Sequence, residues 1–292
     1  MAIEKIFVAG AGLMGSGIAQ VCAQAGYDVT LQDMANGILN KSLEKIRWSV
    51  DKLVEKGKLA EKTDAIMDRL RITTELDAGS ADFVFEAIVE KMDVKQALFA
   101  ELDRICPANT ILASNTSAIP ITQLAAATQR PANVCGTHFF SPVPMMRAVE
   151  IVKGPATAAE TVETADRLCQ SMGKETIRVN MDVAGIVLNR INFPSTIEAI
   201  RLVEAGVASV ADIDKGMRLG FGRPMGPFET ADMVGLDIGY HAYLAVYEET
   251  RDPKFSPPML LQRKIMLGQL GRKTGIGWYR YDSDGRKLAP AD

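Results

Sequence analysis

Gly10-Ala11-Gly12-Leu13-Met14-Gly15 stands between an apolar run, Ile6-Phe7-Val8-Ala9, and the segment Ser16-Gly17-Ile18-Ala19-Gln20. The first run has strand character and the second helix character, so the glycines form the turn between them. In that context Gly10 makes the tight turn and Gly12 lets the backbone approach a pyrophosphate. Gly15 lets helix and strand pack closely. Leu13 and Met14 belong to the same loop, where the helix N-terminus faces an anion. A second strand, residues 28–32, leads to Asp33, about twenty residues further on, the position of a carboxylate that accepts a ribose 2′-hydroxyl. A 2′-phosphate would meet that carboxylate, and Met34 and Ala35 supply no cation. The pattern therefore reads as a site for NAD in preference to NADP. FAD is the alternative, although Glu is more usual there at the end of the second strand.

An alcohol dehydrogenase also needs a base for the hydroxyl proton, and histidine is the side chain poised nearest neutral pH. The chain has two histidines. His138 follows the apolar segment Val134–Thr137 and precedes Phe139-Phe140-Ser141-Pro142. That puts it at the C-terminal end of a strand, where open α/β sheets bind ligands. His241 lies in a tyrosine-rich helical segment and reads as an ordinary packed or surface histidine. A base histidine needs its second ring nitrogen held, usually by a carboxylate. Glu150 sits within Ala148-Val149-Glu150-Ile151-Val152, where a carboxylate is costly to bury without a partner; His138 is the candidate partner, and an edge strand facing water is the other explanation. Ala113-Ser114-Asn115-Thr116-Ser117 ends another strand and brings hydroxyl and amide groups to the same sheet edge, or simply forms a turn. Between residues 36 and 70, Lys41, Lys45, Lys52 and Lys56 form a stripe at helical spacing, apart from the apolar face of Leu43, Ile46, Val50, Leu53 and Val54. Such a stripe holds a polyanionic ligand or is a solvated helix face.

These residues need a particular scaffold. Strand-like segments at 70–73, 82–86, 110–114, 133–137, 148–152 and 175–179 alternate with helical ones, which implies a Rossmann-type α/β domain with a mostly parallel sheet covered on both faces. It is expected over residues 1–182, with a helical insertion at about 36–70. Past Ala184 only helices are expected, at 185–205, 210–217, 228–249 and 258–267. Residues 183–292 thus read as an all-α domain, with a short, polar, frayed tail from Asp282. The 292 residues, 47% of them hydrophobic, suffice for two cores, and a net charge of −3 argues against a general nucleic-acid- or membrane-binding surface. No apolar run reaches membrane-span length. The first strand begins within a few residues of the start, so no signal or transit segment is expected. Cys22, Cys106, Cys135 and Cys169 are scattered without a CxxC pair. They read as free thiols in a cytoplasmic protein, with no metal site.

Together these motifs resemble the 3-hydroxyacyl-CoA dehydrogenase family, most closely its stand-alone 3-hydroxybutyryl-CoA members. The matching stretches include residues 10–15, Glu86-Ala-Ile-Val-Glu90, Ala113–Ser117 and His138-Phe-Phe-Ser-Pro-Val-Pro144. They continue through Val187-Leu-Asn-Arg190, Met225-Gly-Pro-Phe228, Val234-Gly-Leu-Asp237 and Gly271-Arg-Lys-Thr-Gly-Ile-Gly277. The resemblance implies His138 as general base and Glu150 as its orienting carboxylate, with Ser117 and Asn189 hydrogen-bonding substrate oxygens. It implies that the glycine loop, Asp33, Glu90, Lys95 and Lys273 serve NAD. Ser49, Lys52 and Lys56 match positions that contact CoA, and family members are typically homodimers through the helical domain. Two departures concern acyl-chain preference. Ser141 stands where the family usually has Asn, and Ala184-Gly185-Ile186 stands where it usually has Pro-Gly-Phe. The implied activity is reversible NAD-dependent oxidation of short-chain (S)-3-hydroxyacyl-CoA. An NAD enzyme for a free hydroxy acid and a non-catalytic NAD-binding protein are the rival readings.

Overall fold

The computed structural model describes residues 3–291. They form two compact units that divide between Val183 and Ala184.

The first unit opens with β1 (Lys5–Ala9), α1 (Leu13–Gln24) and β2 (Asp28–Gln32). Two helices follow, α2 (Asn36–Glu55) and the short α3 (Thr63–Met67), before β3 (Leu70–Thr73) and β4 (Phe83–Glu86). Then come α4 (Met92–Ile105), β5 (Ile111–Ser114), α5 (Ile121–Ala125), β6 (Val134–Phe139), β7 (Ala148–Val152), α6 (Ala159–Ser171) and β8 (Glu175–Val179). The eight strands form one sheet in the order β3-β2-β1-β4-β5-β6-β7-β8. Every pairing is parallel except β6 with β7. Strands covered on both faces are apolar along their whole length, and β4 and β5 are buried at every residue.

The order explains where ligands go. From β1 the chain adds β2 and β3 on one side, then returns to β4 on the other. The helices that leave β1 and β4 diverge there, and the crevice beyond the strands' C-terminal ends is open to a ligand. The connection at residues 140–147 is shorter than the dozen or so residues that a parallel crossover requires. β7 therefore runs back antiparallel beside β6.

The second unit contains α7 (Leu188–Glu204), α8 (Val210–Phe221), α9 (Pro227–Val234), α10 (Leu236–Thr250) and α11 (Met259–Met266). Its core gathers Ile197, Ile200, Phe228, Leu236, Leu261 and Trp278. Two features differ from the sequence-based expectation. The helix expected over 228–249 is two helices, because Gly235 adopts φ +108°, outside the helical region, and turns the chain between α9 and α10. The tail expected to fray is instead a hairpin. β9 (Tyr279–Tyr281) pairs antiparallel with β10 (Lys287–Pro290), and the Ala291 N–H donates to the Trp278 carbonyl at 2.8 Å.

Buried carboxylates hold this hairpin. Asp232 accepts the Trp278 and Tyr279 N–H groups and the Tyr281 hydroxyl, each at 2.9 Å. Asp214 caps the start of α9 from outside, accepting the Phe228 N–H at 2.9 Å and the Glu229 N–H at 3.1 Å, and also accepts the Tyr279 hydroxyl at 2.8 Å. Burial raises the pKa of both aspartates. Glu229 behaves oppositely. Burial alone would raise it, but hydrogen bonds from Lys287, Arg218 and the Gly226 N–H bring it down to about 2. A carboxylate held below its unfolded value contributes stability that is complete above about pH 4.5 and is lost as pH falls through the folded value. Acid unfolding of the C-terminal hairpin, followed by tyrosine fluorescence or amide exchange at residues 279–290, should therefore begin below about pH 4.5. Glu229→Gln should be less stable than the parent at pH 7 and converge with it near pH 2. A constant difference between the two across this range would remove the ion pairs as its cause.

Candidate active site

The glycine loop closes by contact as well as by conformation. Gly10 has φ +96°, and a β-carbon there would lie 2.6 Å from the Ala87 carbonyl oxygen. A β-carbon on Gly15 would lie 1.8 Å from the Gly10 oxygen. Gly12 is different in kind: a β-carbon there would meet nothing within 4 Å. No internal packing requires glycine at position 12, and the open space lies at the start of α1. That helix begins at Leu13 with no side-chain cap from Gly12 and no acidic residue in its first turn. Its N-terminal N–H groups and its dipole thus favour an anion. Leu13 is 73% exposed in the loop, whereas Met14 packs against the core.

Asp33 closes the other side. One oxygen accepts the Ala11 N–H at 2.9 Å and the other the Ala35 N–H at 3.2 Å. The carboxylate is thereby held against the glycine loop at the end of β2. Ser42, on α2, donates to the Ala11 carbonyl at 2.6 Å and fastens the helix to the same loop. An open cradle at Gly12, an uncapped helix N-terminus and an anchored carboxylate that forms no ion pair among the described residues fit a dinucleotide with a free 2′-hydroxyl.

Three further strands deliver groups to the same edge. At the end of β4, Glu86 is fully buried and its Oε1 pairs with the Lys95 ammonium at 2.5 Å. Its other oxygen accepts the Ser114 hydroxyl, also at 2.5 Å, and its Oε1 accepts the Ile88 N–H at 2.8 Å. Lys95, 1% exposed, also pairs with Glu90 at 3.2 Å. Glu90 then accepts the Thr116 hydroxyl at 2.5 Å and the Ser117 and Ala118 N–H groups at 3.3 and 3.4 Å. Lys95 is therefore engaged with two glutamates, while Glu90 remains partly exposed and binds the loop that carries Ser117. Glu86 is a site-building residue that sequence reasoning did not assign, although a glutamate closing the apolar strand Phe83-Val84-Phe85 gave the signal.

The loop after β5 reaches the next strand. Asn115 accepts the Phe139 N–H at 2.9 Å, so Ser117's loop is tied to the strand that holds His138. His138 and Glu150 stand directly opposite each other in the β6–β7 register. Opposed residues of an antiparallel pair project to the same face, and His138 Nδ1 lies 2.7 Å from Glu150 Oε2. The imidazole is 8% exposed and the carboxylate is fully buried. An ionised carboxylate can only accept, so Nδ1 carries the hydrogen and Nε2 is the nitrogen available for proton exchange. The Phe140 ring packs 4.5 Å from the imidazole, centroid to centroid. The connection from His138 to Glu150 is itself gripped: the buried Lys174 ammonium donates to the Val143 and Met146 carbonyls at 2.5 and 2.9 Å.

The remaining candidates are carried by α2 and by the second unit. On α2, Ser49 accepts a hydrogen bond from Gln20 of α1 at 3.0 Å. Lys52 pairs with Glu55 at 2.7 Å, and Lys56 follows the last turn of the helix. In the second unit, Asn189 sits in the first turn of α7 and is partly buried. Lys273 pairs with both oxygens of Asp237 at 2.6 and 2.7 Å. Burial opposes ionisation of Asp237, but the hydrogen bond and charge of Lys273 outweigh it and lower the pKa. Ala184-Gly185-Ile186 opens this unit with two consecutive positive φ values, +78° at Gly185 and +52° at Ile186. A β-branched residue is strained there. His241 packs beside Tyr240 on α10, in the second unit.

The chain is similar to known proteins along nearly its whole length. Residues 5–183 match the NAD binding domain of 3-hydroxyacyl-CoA dehydrogenase, and residues 185–281 match its C-terminal domain. A probable 3-hydroxybutyryl-CoA dehydrogenase of Bacillus subtilis is 43% identical, the alignment covering 97% of this chain and 99% of that protein. The mitochondrial hydroxyacyl-coenzyme A dehydrogenase of Sus scrofa is 42% identical over 96% of this chain and 91% of its own. Among solved structures, an (S)-3-hydroxybutyryl-CoA dehydrogenase from Ralstonia eutropha superposes with a TM-score of 0.91 at 39% identity, covering 97% of this chain and 100% of the other. This chain belongs to the 3-hydroxyacyl-CoA dehydrogenase family.

Proposed function

We propose that the protein interconverts short-chain (S)-3-hydroxyacyl-CoA and 3-oxoacyl-CoA with NAD, using His138 as the general base. The observation that carries this reading is the buried His138–Glu150 pair, 2.7 Å apart, on the sheet edge that also bears the glycine loop. When bound, NAD accepts the hydride that leaves C3 of the substrate. His138 Nε2 takes the hydroxyl proton as that hydride departs, and Glu150 stabilises the imidazolium that results. In the reductive direction the protonated histidine returns the proton. Ser117 and Asn189 hydrogen-bond the substrate oxygens. The N–H groups at residues 10–15 and the start of α1 hold the pyrophosphate, Asp33 the ribose, and Glu90 and Lys273 further polar groups of NAD. Lys95 contributes by holding Glu90. On α2, Ser49, Lys52 and Lys56 receive the CoA portion.

We further propose a homodimer through the helical unit. Ile191, Leu219 and Phe221 are 69%, 77% and 78% exposed there and are the apolar side chains this unit offers to such an interface. Sedimentation should give a species of two chains.

Substrate class is tested with a panel of 3-oxoacyl-CoA thioesters of rising chain length and the matching free 3-oxo acids, each with NADH. The four-carbon thioester should be turned over best and the free acids poorly; efficient turnover of a free acid would set the CoA assignment aside.

Two sets of variants test the site. Gly12→Ala should fold with unchanged thermal stability, because its β-carbon meets no protein atom, yet bind NAD more weakly. Gly15→Ala should destabilise the fold itself, because its β-carbon collides with the Gly10 carbonyl. Calorimetry with and without NAD separates the two, and full NAD affinity in Gly12→Ala would count against a pyrophosphate at that position. His138→Gln should retain NAD binding and lose roughly 10²–10⁴ in turnover. Glu150→Gln acts through the same proton transfer, so the double variant should lose far less than the product of the single losses.

A further inference from the structure

One large apolar side chain on α2 stands mostly in solvent. Trp48 is 66% exposed, while the helix buries Leu39, Ile46 and Val50 on its opposite face. It lies one turn from Lys45 on one side and one turn from Lys52 on the other, and both lysines are exposed. Lys41 and Lys56 extend the cationic row towards the two ends of the helix. Glu44 and Asp51 are the anionic neighbours of Trp48, and Lys52 is paired with Glu55. The chain's other tryptophan, Trp278, is 1% exposed in the core of the second unit. An indole in water between ammonium groups has the composition of a nucleotide platform, a π-face for the base beside cations for its phosphates.

We propose that Trp48 stacks on the adenine ring of the CoA moiety, with Lys45 and Lys52 flanking its phosphates. This rests on the acyl-CoA reading above and adds to it the residue that binds the purine. The first unit joins this face to the proton-transfer residues through packed elements. The loop after His138 lies against α1, where a β-carbon on Gly17 would be 2.8 Å from Val143. One turn further along α1, Gln20 donates to Ser49, the residue after Trp48. The adenine of NAD is excluded from the same indole by distance. Asp33 places that nucleotide at the start of α2, and Trp48 lies twelve residues beyond Asn36, about 18 Å along the helix axis.

Tryptophan emission provides a direct test. With excitation at 295 nm and the full chain saturated with NAD⁺, free CoA should quench the solvent-exposed emission of Trp48 saturably and protect it from acrylamide. The blue-shifted emission of Trp278 should stay constant. Adenosine 3′,5′-bisphosphate should produce the same quenching, and NAD⁺ alone should not. Trp48→Ala should abolish the signal and weaken CoA binding about five- to tenfold, as expected for one lost base-stacking contact. Trp48→Phe should retain most of the affinity. The KM for a 3-oxoacyl-pantetheine thioester, which lacks the nucleotide, should be the same in the parent and Trp48→Ala. Saturable CoA binding with unaltered Trp48 emission, and equal affinity in Trp48→Ala, would overturn the stacking role and leave the acyl-CoA reading intact. Quenching by NAD⁺ alone, or an emission change that follows protein concentration in the absence of CoA, would also overturn it, by assigning the indole to the cofactor or to a second copy of the chain. Absence of any CoA binding, together with turnover of the free acid, would overturn both readings.

Discussion

Two glutamates are completely buried in one sheet, and the site is organised around keeping them satisfied. Glu86 and Glu150 both have zero exposure. An ionised carboxylate without water is destabilising by several kcal/mol, and only a well-placed partner with further hydrogen bonds offsets this. For Glu86 the partners are Lys95, Ser114 and the Ile88 N–H. For Glu150 the Nδ1 nitrogen of His138 lies at hydrogen-bond distance. Each partner is thereby fixed in place, and each belongs to a segment that reaches the C-terminal edge of the sheet. The requirement that stabilises the fold is thus the one that orients an imidazole and anchors the loop bearing Ser117.

The single antiparallel pairing in the sheet follows from a short connection and has a chemical consequence. Because β7 returns directly beside β6, Glu150 comes level with His138 and on the same face. The connection is held at its far end by Lys174, whose ammonium binds two of its carbonyls. Burial lowers the pKa of this lysine, yet either protonation state has hydrogens enough for both acceptors. The loop also packs on Gly17 of the helix that starts at the glycine loop. His138, Glu150 and the glycine loop therefore share one support inside the first unit.

The second unit applies a related device to a different end. Asp214 and Asp232 accept backbone N–H groups that the helices and hairpin leave unpaired. Gly226 and Gly277 leave room for them, since a β-carbon at either would fall within 2.2 Å of a carboxylate oxygen. The stretches Met225–Phe228 and Gly271–Gly277, which stand out in the sequence, are thus explained by packing around buried acids. Lys273 lies in the second stretch and is held by Asp237.

Local chemistry was legible wherever neighbouring residues carry it. The turn between β1 and α1, the carboxylate at the end of β2 and the placement of His138 at a strand end follow from spacing and side-chain type. The alternation of strands and helices likewise determines a mostly parallel, doubly covered sheet. Other features depend on groups far apart in the chain. The φ of Gly235 that divides α9 from α10 interrupts an apolar pattern which, read by period alone, continues without a break. The C-terminal hairpin is polar and reads as a frayed tail, because the aspartate that orders it lies 46 residues from Trp278. Glu86 closes an apolar strand and Lys95 stands nine residues further along the chain, and only the fold buries both and brings them to 2.5 Å. The motif already assigns Gly10 to the tight turn, Gly12 to the approach of a pyrophosphate and Gly15 to close packing. Only the tertiary structure supplies the atoms that enforce these roles: the Ala87 and Gly10 carbonyls exclude a β-carbon at positions 10 and 15, whereas position 12 faces open space.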